Sequence, residues 1–468
     1  MIRSRKLKIN KYIISALSVL SNSPNTNNLT MLSIYNVYDK LAEESLGEKL
    51  SKKCVHKRLD NDEMVECLKS LLENVSSVIA HTAQKMFKKI VPKDVQLLLK
   101  NLGVNDIILI DGTEIDVRPS LAKDEDFKGS NKGRPHLDGE PSRPGIKLHV
   151  AYSVAKQTFI YIDVTRACES ERAHVLTERF SNCLIVADRG YVSVELEKKI
   201  NESNNYFIIK GKSNTTGNID AAFSSNSQLP NLTNQKLKDG EIKKTMDFDI
   251  TSKYYRFPDN NTENTTNNVA QTEQQSNNEN EKKSCFDTHQ YRVVRECHLT
   301  QNSDENVITL RTNLPRNRVN AKQIFLLYRI RWTVEIFNKV FKSSNTLHSI
   351  NSGKKTIVYE FIILSIMSNL IKTYFGYLTQ ISYNIEWISI QKLNKYLTNK
   401  ALEKFYAAIL HKRKSKIYQI VKELLGLISQ NCQRGKTSKR DREQLKDFPL
   451  LVQTINNFWN EPKNFSES

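Results

Sequence analysis

Two short apolar runs, each closing on an aspartate, constrain this chain most: Asp106–Gly112 (DIILIDG) and Cys183–Asp188 (CLIVAD). Short continuous apolar runs bounded by turn signals read as buried strands. Between them, Ile146–Val154 and Thr158–Arg166 read as a hairpin across Ala155–Gln157, and Glu171–Phe180 as a short helix. Beyond them, Val192–Ser203 reads as a helix and Tyr206–Lys212 (YFIIKGK) as a further strand. The order β, β–β hairpin, α, β, α, β predicts a mixed α/β sheet with helices on its faces.

That core is flanked and interrupted. Residues 1–104 read as a helical N-terminal domain, since Met64–Ile90 has apolar residues at helical spacing and neither Gly nor Pro. The core's first part covers 105–212. In 213–315, the stretches Ser213–Gln235 and Pro258–Ser284 are rich in Asn, Thr, Ser, Gln and Glu. Such composition buries too little apolar area to fold alone. Strand-like pieces lie between and after them, at Glu241–Ile250, Tyr291–Leu299 and Val307–Asn313. An inserted β-rich subdomain with two long polar loops is expected. The core resumes over 316–380 with helices Ala321–Ser343 and Thr356–Tyr374. Residues 381–468 read as a helical, basic C-terminal region with clusters at His411–Lys416 (HKRKSK) and Gln433–Arg442.

Charge narrows the partner. The 468 residues carry a formal net charge of +19, which argues for a polyanion, most simply nucleic acid. The seven cysteines are scattered with no C-x-x-C pair, which excludes a zinc ribbon and fits a reducing cytosol. No membrane span is expected, because no apolar run reaches the required length. The nearest, Ile357–Met367, carries Glu360 and reads as a buried helix. Basic residues through Lys11 precede the apolar run Tyr12–Leu20, in imitation of a signal peptide. Its two serines and the lack of an A-x-A site favour an amphipathic helix.

The chemistry gathers around the two aspartates. If their strands are parallel neighbours, Asp111 and Asp188 end side by side at one sheet edge, where functional groups of open α/β sheets collect. Two ionised carboxylates there repel and need a cation between them. Hard oxygen donors suit Mg²⁺ or Mn²⁺. On one continuous helix over 321–343, Tyr328, Arg331, Glu335, Lys339 and Lys342 fall within about 80° of arc. Apolar residues fill the opposite face. Glu335 would complete a three-carboxylate site for two ions acting on a phosphodiester. The cations beside it would hold a phosphate backbone, Arg331 in bidentate fashion, and Tyr328 would bond a phosphate or stack on a base. Trp332, at the edge of the stripe, is placed to stack on a flipped base or to pack. Asp116 and Asp163 also sit on strands and are the alternatives to Asp111. His136, His149 and His174 lie nearby, but no pair has metal-ligand spacing.

The spacing Tyr328-x2-Arg331-x3-Glu335-x6-Lys342 resembles the Y-R-E-K signature of IS4-family bacterial insertion-sequence transposases. Asp188-Arg189-Gly190-Tyr191 looks like that family's second-aspartate block and Asp111-Gly112-Thr113 like its first. Residues 145–154 (GIKLHVAYSV) and 310–315 (LRTNLP) also resemble family segments, so the likeness covers about 105–375. The resemblance implies an RNase H-like core with Asp111, Asp188 and Glu335 as its catalytic, metal-holding triad, served by two Mg²⁺ ions for which Mn²⁺ can substitute. It implies double-stranded DNA partners, namely terminal inverted repeats and target DNA. A homodimer in the paired-end complex and a place in the bacterial cytoplasm, on the nucleoid, are implied too. Carried over, Tyr328, Arg331 and Lys342 contact phosphates near the cleaved end; Lys339, Arg189 and Trp332 are DNA-binding candidates by their own positions beside the site. Lys210 stands where relatives often have an arginine, and can neutralise a phosphate but not grip it bidentately. The alternatives are a decayed copy that binds ends without cutting, and a nuclease of the same fold.

Overall fold

The computed structural model describes residues 9–22, 61–86, 91–127, 144–211, 217–224, 227–236, 245–255, 286–299, 305–344, 354–397, 402–434 and 448–460. Helices α1 (Ile9–Asn22), α2 (Asp62–Lys85) and α3 (Lys93–Leu102) lead into β1 (Asp106–Asp116). The hairpin β2 (Gly145–Ser153) and β3 (Thr158–Arg166) comes next, then β4 (Cys183–Ala187), α4 (Val194–Glu202) and β5 (Tyr206–Lys210). Five further strands follow: β6 (Asn218–Ser224), β7 (Ser227–Gln228), β8 (Met246–Tyr255), β9 (Phe286–Leu299) and β10 (Glu305–Thr312). The elements described beyond them are helices: α5 (Ala321–Arg329), α6 (Trp332–Ser344), α7 (Lys355–Tyr383), α8 (Ile390–Tyr396), α9 (Glu403–Leu410), α10 (Lys414–Asn431) and α11 (Phe448–Asn460).

All ten strands belong to one sheet, ordered β3-β2-β1-β4-β5-β10-β9-β8-β6-β7. Its first five strands form the RNase H-like core: an antiparallel β3-β2-β1 meander, then β4 and β5 parallel to β1. Alternation along the central strands sorts residues to two faces. Ile107 and Leu109 of β1, with Leu184 and Val186 of β4, join the large core shared with the C-terminal helices. Ile108, Ile110, Cys183 and Ile185 join a smaller core that includes Leu196 and Ile200 of α4.

The β-rich insertion is present, but it is not a separate subdomain. β10 pairs antiparallel with β5, so the inserted strands extend the core sheet. The polar stretch 213–235 contains β6 and β7, whose apolar residues Ile219 and Ala222 pack with Phe248, Ile250 and Val293. A few well-spaced apolar side chains suffice once neighbouring strands supply the rest of the layer. The second polar stretch, 258–284, lies outside the described residues. Buried ion pairs rivet insertion to core. Arg292 of β9 chelates Asp247 at 2.6 and 2.8 Å and donates to the carbonyls of Leu314 and Val319 at 3.0 and 2.8 Å. Glu197 of α4 accepts from Arg311 at 2.7 Å and lies 2.8 Å from His289 Nε2.

Three helical expectations change. Residues 171–180 form two separate 3₁₀ turns, Glu171–His174 and Thr177–Arg179, because extended backbone at Val175 sends that β-branched side chain into the smaller core. The helix expected over 321–343 is two helices. At Ile330 and Arg331 the backbone bonds tighten to the i−3 carbonyls, Ile330 to Leu327 and Arg331 to Tyr328. The third helix, α7, is longer than expected. It spans 29 residues and is apolar enough to cross a membrane by length and composition, yet 72% of its apolar window is buried inside the protein. Tyr12 of α1, the amphipathic helix expected there, donates to its buried Glu360 at 2.9 Å.

Asp106 anchors the start of β1. Its carboxylate accepts from Ser153 Oγ at 2.5 Å and from the N–H groups of Ile107 and Ala155 at 2.8 and 2.9 Å. Burial outweighs these bonds and pushes its carboxyl up to about 6. The folded chain therefore keeps a proton that the unfolded chain releases near pH 4, so stability falls as pH rises from about 4 to about 6. Asp106→Asn should flatten that part of the profile and gain about 2 kcal/mol at neutral pH. Urea unfolding across pH 4–8 measures it, and an unchanged slope would refute the account.

Candidate active site

The register of the central strands builds the site. β1 runs parallel to β4 with Leu109 opposite Val186, so two residues further on Asp111 stands opposite Asp188. Both share parity with the large-core residues of their strands and fall on the face that α6 covers. Lys210, at the end of β5, shares parity with Ile208 on that same face.

α5 and α6 bring the remaining groups. The capping box of Asn320 and Gln323 starts α5, and Tyr328 in its last turn donates from its hydroxyl to Asp188 Oδ1 at 3.1 Å. Arg331, at the break between the helices, pairs with Glu335 Oε1 at 2.6 Å and is largely buried. One turn beyond Glu335, the buried Asn338 donates from Nδ2 to Asp111 Oδ2 at 2.7 Å. Another turn on, Lys342 Nζ donates to the carbonyl of Glu114 at 3.0 Å. Positions 335, 338 and 342 thus form one stripe that docks α6 along β1.

The two aspartates sit in opposite electrostatic environments. Burial pushes the Asp111 carboxyl up to about 6; Asn338 and Arg331 pull it back, while the negative charges of Glu335 and Glu171 add to the push. Burial also lifts Asp188, but the N–H of Arg189, the charge of Arg331, the Tyr328 hydroxyl and Lys210 outweigh it and hold that carboxyl below its usual range. Arg331 is the shared cation: its charge acts on both aspartates, and Tyr328, Glu335 and Asp188 hold its own proton against burial.

Of the ten residues expected from sequence, the structure gathers Asp111, Asp188, Lys210, Tyr328, Arg331, Glu335 and Lys342 at this end of the sheet. Arg189 follows Asp188 and is exposed, Lys339 is exposed on α6, and Trp332 leaves half of its surface, 51%, in solvent. Tyr328 lies on a different helix from Glu335, so the single stripe becomes two helix faces meeting at Arg331. Asp163 is occupied with His174 at 2.8 Å, and His149 stacks on His174 with ring centroids 4.0 Å apart. Two residues escaped sequence reasoning, Asn338 and Glu171. Asn338 carried a signal, since a polar residue three after Glu335 must lie near it on a helix.

The donor set suits a divalent cation. Three carboxylates supply hard oxygens, burial makes Asp111 hold its proton more tightly than Asp188 does, and Glu335 already holds a cationic group. The set is not preassembled: among the described residues, no three His, Cys, Asp or Glu side chains stand grouped closely enough to hold an ion as they are. Glu335 would have to release Arg331.

An RNase H-like sheet with carboxylates at adjacent parallel strand ends and a third on a covering helix defines the DDE class of fold. Residues 103–370, over half of the chain, match the family model described as a transposase DDE domain, and the chain belongs to that family. The family generally uses divalent metals. The chain is also similar to the transposase for insertion sequence element IS1151 of Clostridium perfringens, 26% identical over 262 residues. That match covers 52% of each protein, so the chain spans about half the length of the curated relative it matches.

Asn338→Leu keeps the branched shape of the side chain but strips Asp111 of its donor. At pH 8, with Asp111 ionised, the loss should cost about 1.5–3 kcal/mol in chemical denaturation. Unchanged stability would mean that the contact does not hold Asp111.

Proposed function

We propose that this chain is a DNA transposase of the IS4 type, which cuts insertion-sequence ends and joins them to target DNA. The observation that carries the reading is the parallel β1–β4 register that sets Asp111 opposite Asp188, with α6 fastened over them through Asn338. Asp111, Asp188 and Glu335 would hold two divalent ions, Mg²⁺ or Mn²⁺. When bound, such ions supply activation of an attacking water or hydroxyl and stabilisation of the leaving oxygen.

The remaining residues serve the DNA. Arg331 would leave Glu335 for a phosphate, a planar fork suited to two phosphate oxygens. Tyr328 would turn its hydroxyl from Asp188 to a phosphate beside the cut. Lys210, Arg189, Lys339 and Lys342 supply positive charge around the strand, and the exposed Trp332 offers an indole for a splayed base. Residues 1–104 would recognise the terminal inverted repeats, 105–212 and 316–380 would form the cutting core, and 213–315 would buttress it. Residues 381–468 would help to pair two copies on two ends, at the bacterial nucleoid. A net charge of +19 supports a nucleic-acid partner.

A labelled duplex carrying the repeat that flanks the gene tests the reading. Wild-type protein should nick it at the repeat boundary with Mg²⁺ and not with EDTA. Glu335→Gln should cut at background rate yet bind the duplex as wild type does, because it removes an oxygen donor rather than a phosphate contact. Loss of binding as well would overturn the role of Glu335. Specific binding by the wild type without any cutting would instead identify a decayed, end-binding copy.

A further inference from the structure

The basic cluster His411–Lys416 makes no contact in the function proposed above, which gives 381–468 only a part in pairing two copies. It forms the turn from α9 into the first turn of α10. α10 packs on α7, α8 and α9, none of which carries a residue of the candidate site. Over residues 411–422 the chain has five Lys or Arg and no Asp or Glu. His411, Lys412, Arg413, Lys414, Lys416 and Lys422 are all exposed. Among the described residues, none of these side chains has a hydrogen bond or an ion pair. Exposed cations on other elements do pair with acids, as Lys69 does with Glu66, Arg166 with Glu169 and Lys355 with Asp126.

The competing explanation is a solvated face that only keeps the chain soluble. Three details speak against it. Lys412 has φ +52°, the left-handed backbone that favours glycine or asparagine, so a lysine stands where the turn would form more easily without one. The first turn of α10 carries Lys414 and Lys416 and no acid, against the preference of the helix dipole for negative charge there. Tyr418 leaves 75% of its surface in solvent, with Lys414 one turn before it and Lys422 one turn after it. Neither the turn nor the helix gains from these residues, and solubility needs none of them in these places. Cations with an aromatic hydroxyl among them fit a phosphate backbone, which is held by charge and by hydrogen bonds. A lipid surface fits less well. It needs an exposed apolar face beside the charges, and the apolar face of α10, with Ile420, Leu424, Leu425 and Ile428, is buried. The exposed Leu427 lies about 180° round the helix from Tyr418.

We propose that the α9–α10 turn and the exposed stripe of α10 form a second DNA-binding surface, which holds the phosphate backbone of duplex DNA without regard to sequence. This rests on the DNA partner proposed above. Lys412, Arg413, Lys414 and Lys416 supply the phosphate contacts, Lys422 extends them along the helix, and Tyr418 bonds a phosphate or sugar through its hydroxyl.

Fluorescence anisotropy of the full chain with a labelled random-sequence duplex, between about 50 and 200 mM salt, tests the surface. Lys412→Gly should melt no lower than the wild type, because glycine takes a left-handed turn more easily. It should nevertheless lower the slope of log affinity against log salt by about one unit. Lys412→Gly with Arg413→Gln and Lys416→Gln should lower that slope by about three. The glycine variant carries the measurement if the triple variant folds poorly. Wild-type slopes in both variants, beside a wild type that binds the duplex, would overturn this surface and leave the proposed function standing. Wild-type slopes together with lost binding to phosphatidylglycerol vesicles would overturn it too, by assigning the cations to a lipid surface. So would a wild type that binds only a duplex carrying the flanking repeat. A wild type that binds neither duplex would overturn the DNA partner itself, and this proposal with it.

Discussion

Negative charge confined at one end of a sheet is the constraint that the rest of this structure answers. Parallel pairing of β1 with β4 forces Asp111 and Asp188 together, and β-sheet register leaves no freedom to separate them. Glu335 and Glu171 add two more carboxylates within electrostatic reach of Asp111. The answer is uneven by design of the fold. Asp188 sits among donors and cations and stays readily ionised, whereas Asp111 is buried, relies on Asn338 and Arg331, and holds its proton more tightly. Sites that bind a divalent cation are commonly built this way, with repulsion in the empty protein that the ion relieves.

The break between α5 and α6 is what lets one stretch of chain serve both aspartates. A straight helix would line Tyr328 and Glu335 along a single stripe and present them to one strand. The tighter turn at Ile330–Arg331 gives each helix its own target, so Tyr328 reaches Asp188 while Asn338 reaches Asp111. Arg331, at the joint, faces both. The insertion contributes to this arrangement from a distance. Arg292 on β9 holds the carbonyls of Leu314 and Val319, just ahead of the Asn320 cap that starts α5. The inserted strands are thus a support for the helices that carry the site, continuous with the sheet that carries the aspartates.

Much of this was legible in the sequence. Each buried strand is marked by a local run of apolar side chains, each helix by spacing, and Asp111, Asp188 and Glu335 stand out as carboxylates at the ends or edges of such runs. What was not legible shares one cause. Asn338 reads as an ordinary polar helix residue until β1 is seen beneath it. Glu171 reads as a first-turn acid of a helix until Val175 turns inward and breaks that helix in two. The polar stretch 213–235 reads as unfoldable until β8 and β9 supply the layer its few apolar residues need.

The sequence by itself determined the inventory: mixed α/β elements in their order, an inserted β-rich segment, three well-placed carboxylates and a strongly basic balance. These are properties of spacing and composition, which act over a few residues. Only the tertiary structure decided the pairing: β5 with β10 across a hundred residues, Asn338 with Asp111, and Glu171 between two glycines. Such partners are chosen by packing and by the satisfaction of buried charge, and both depend on which distant segments arrive at the same place.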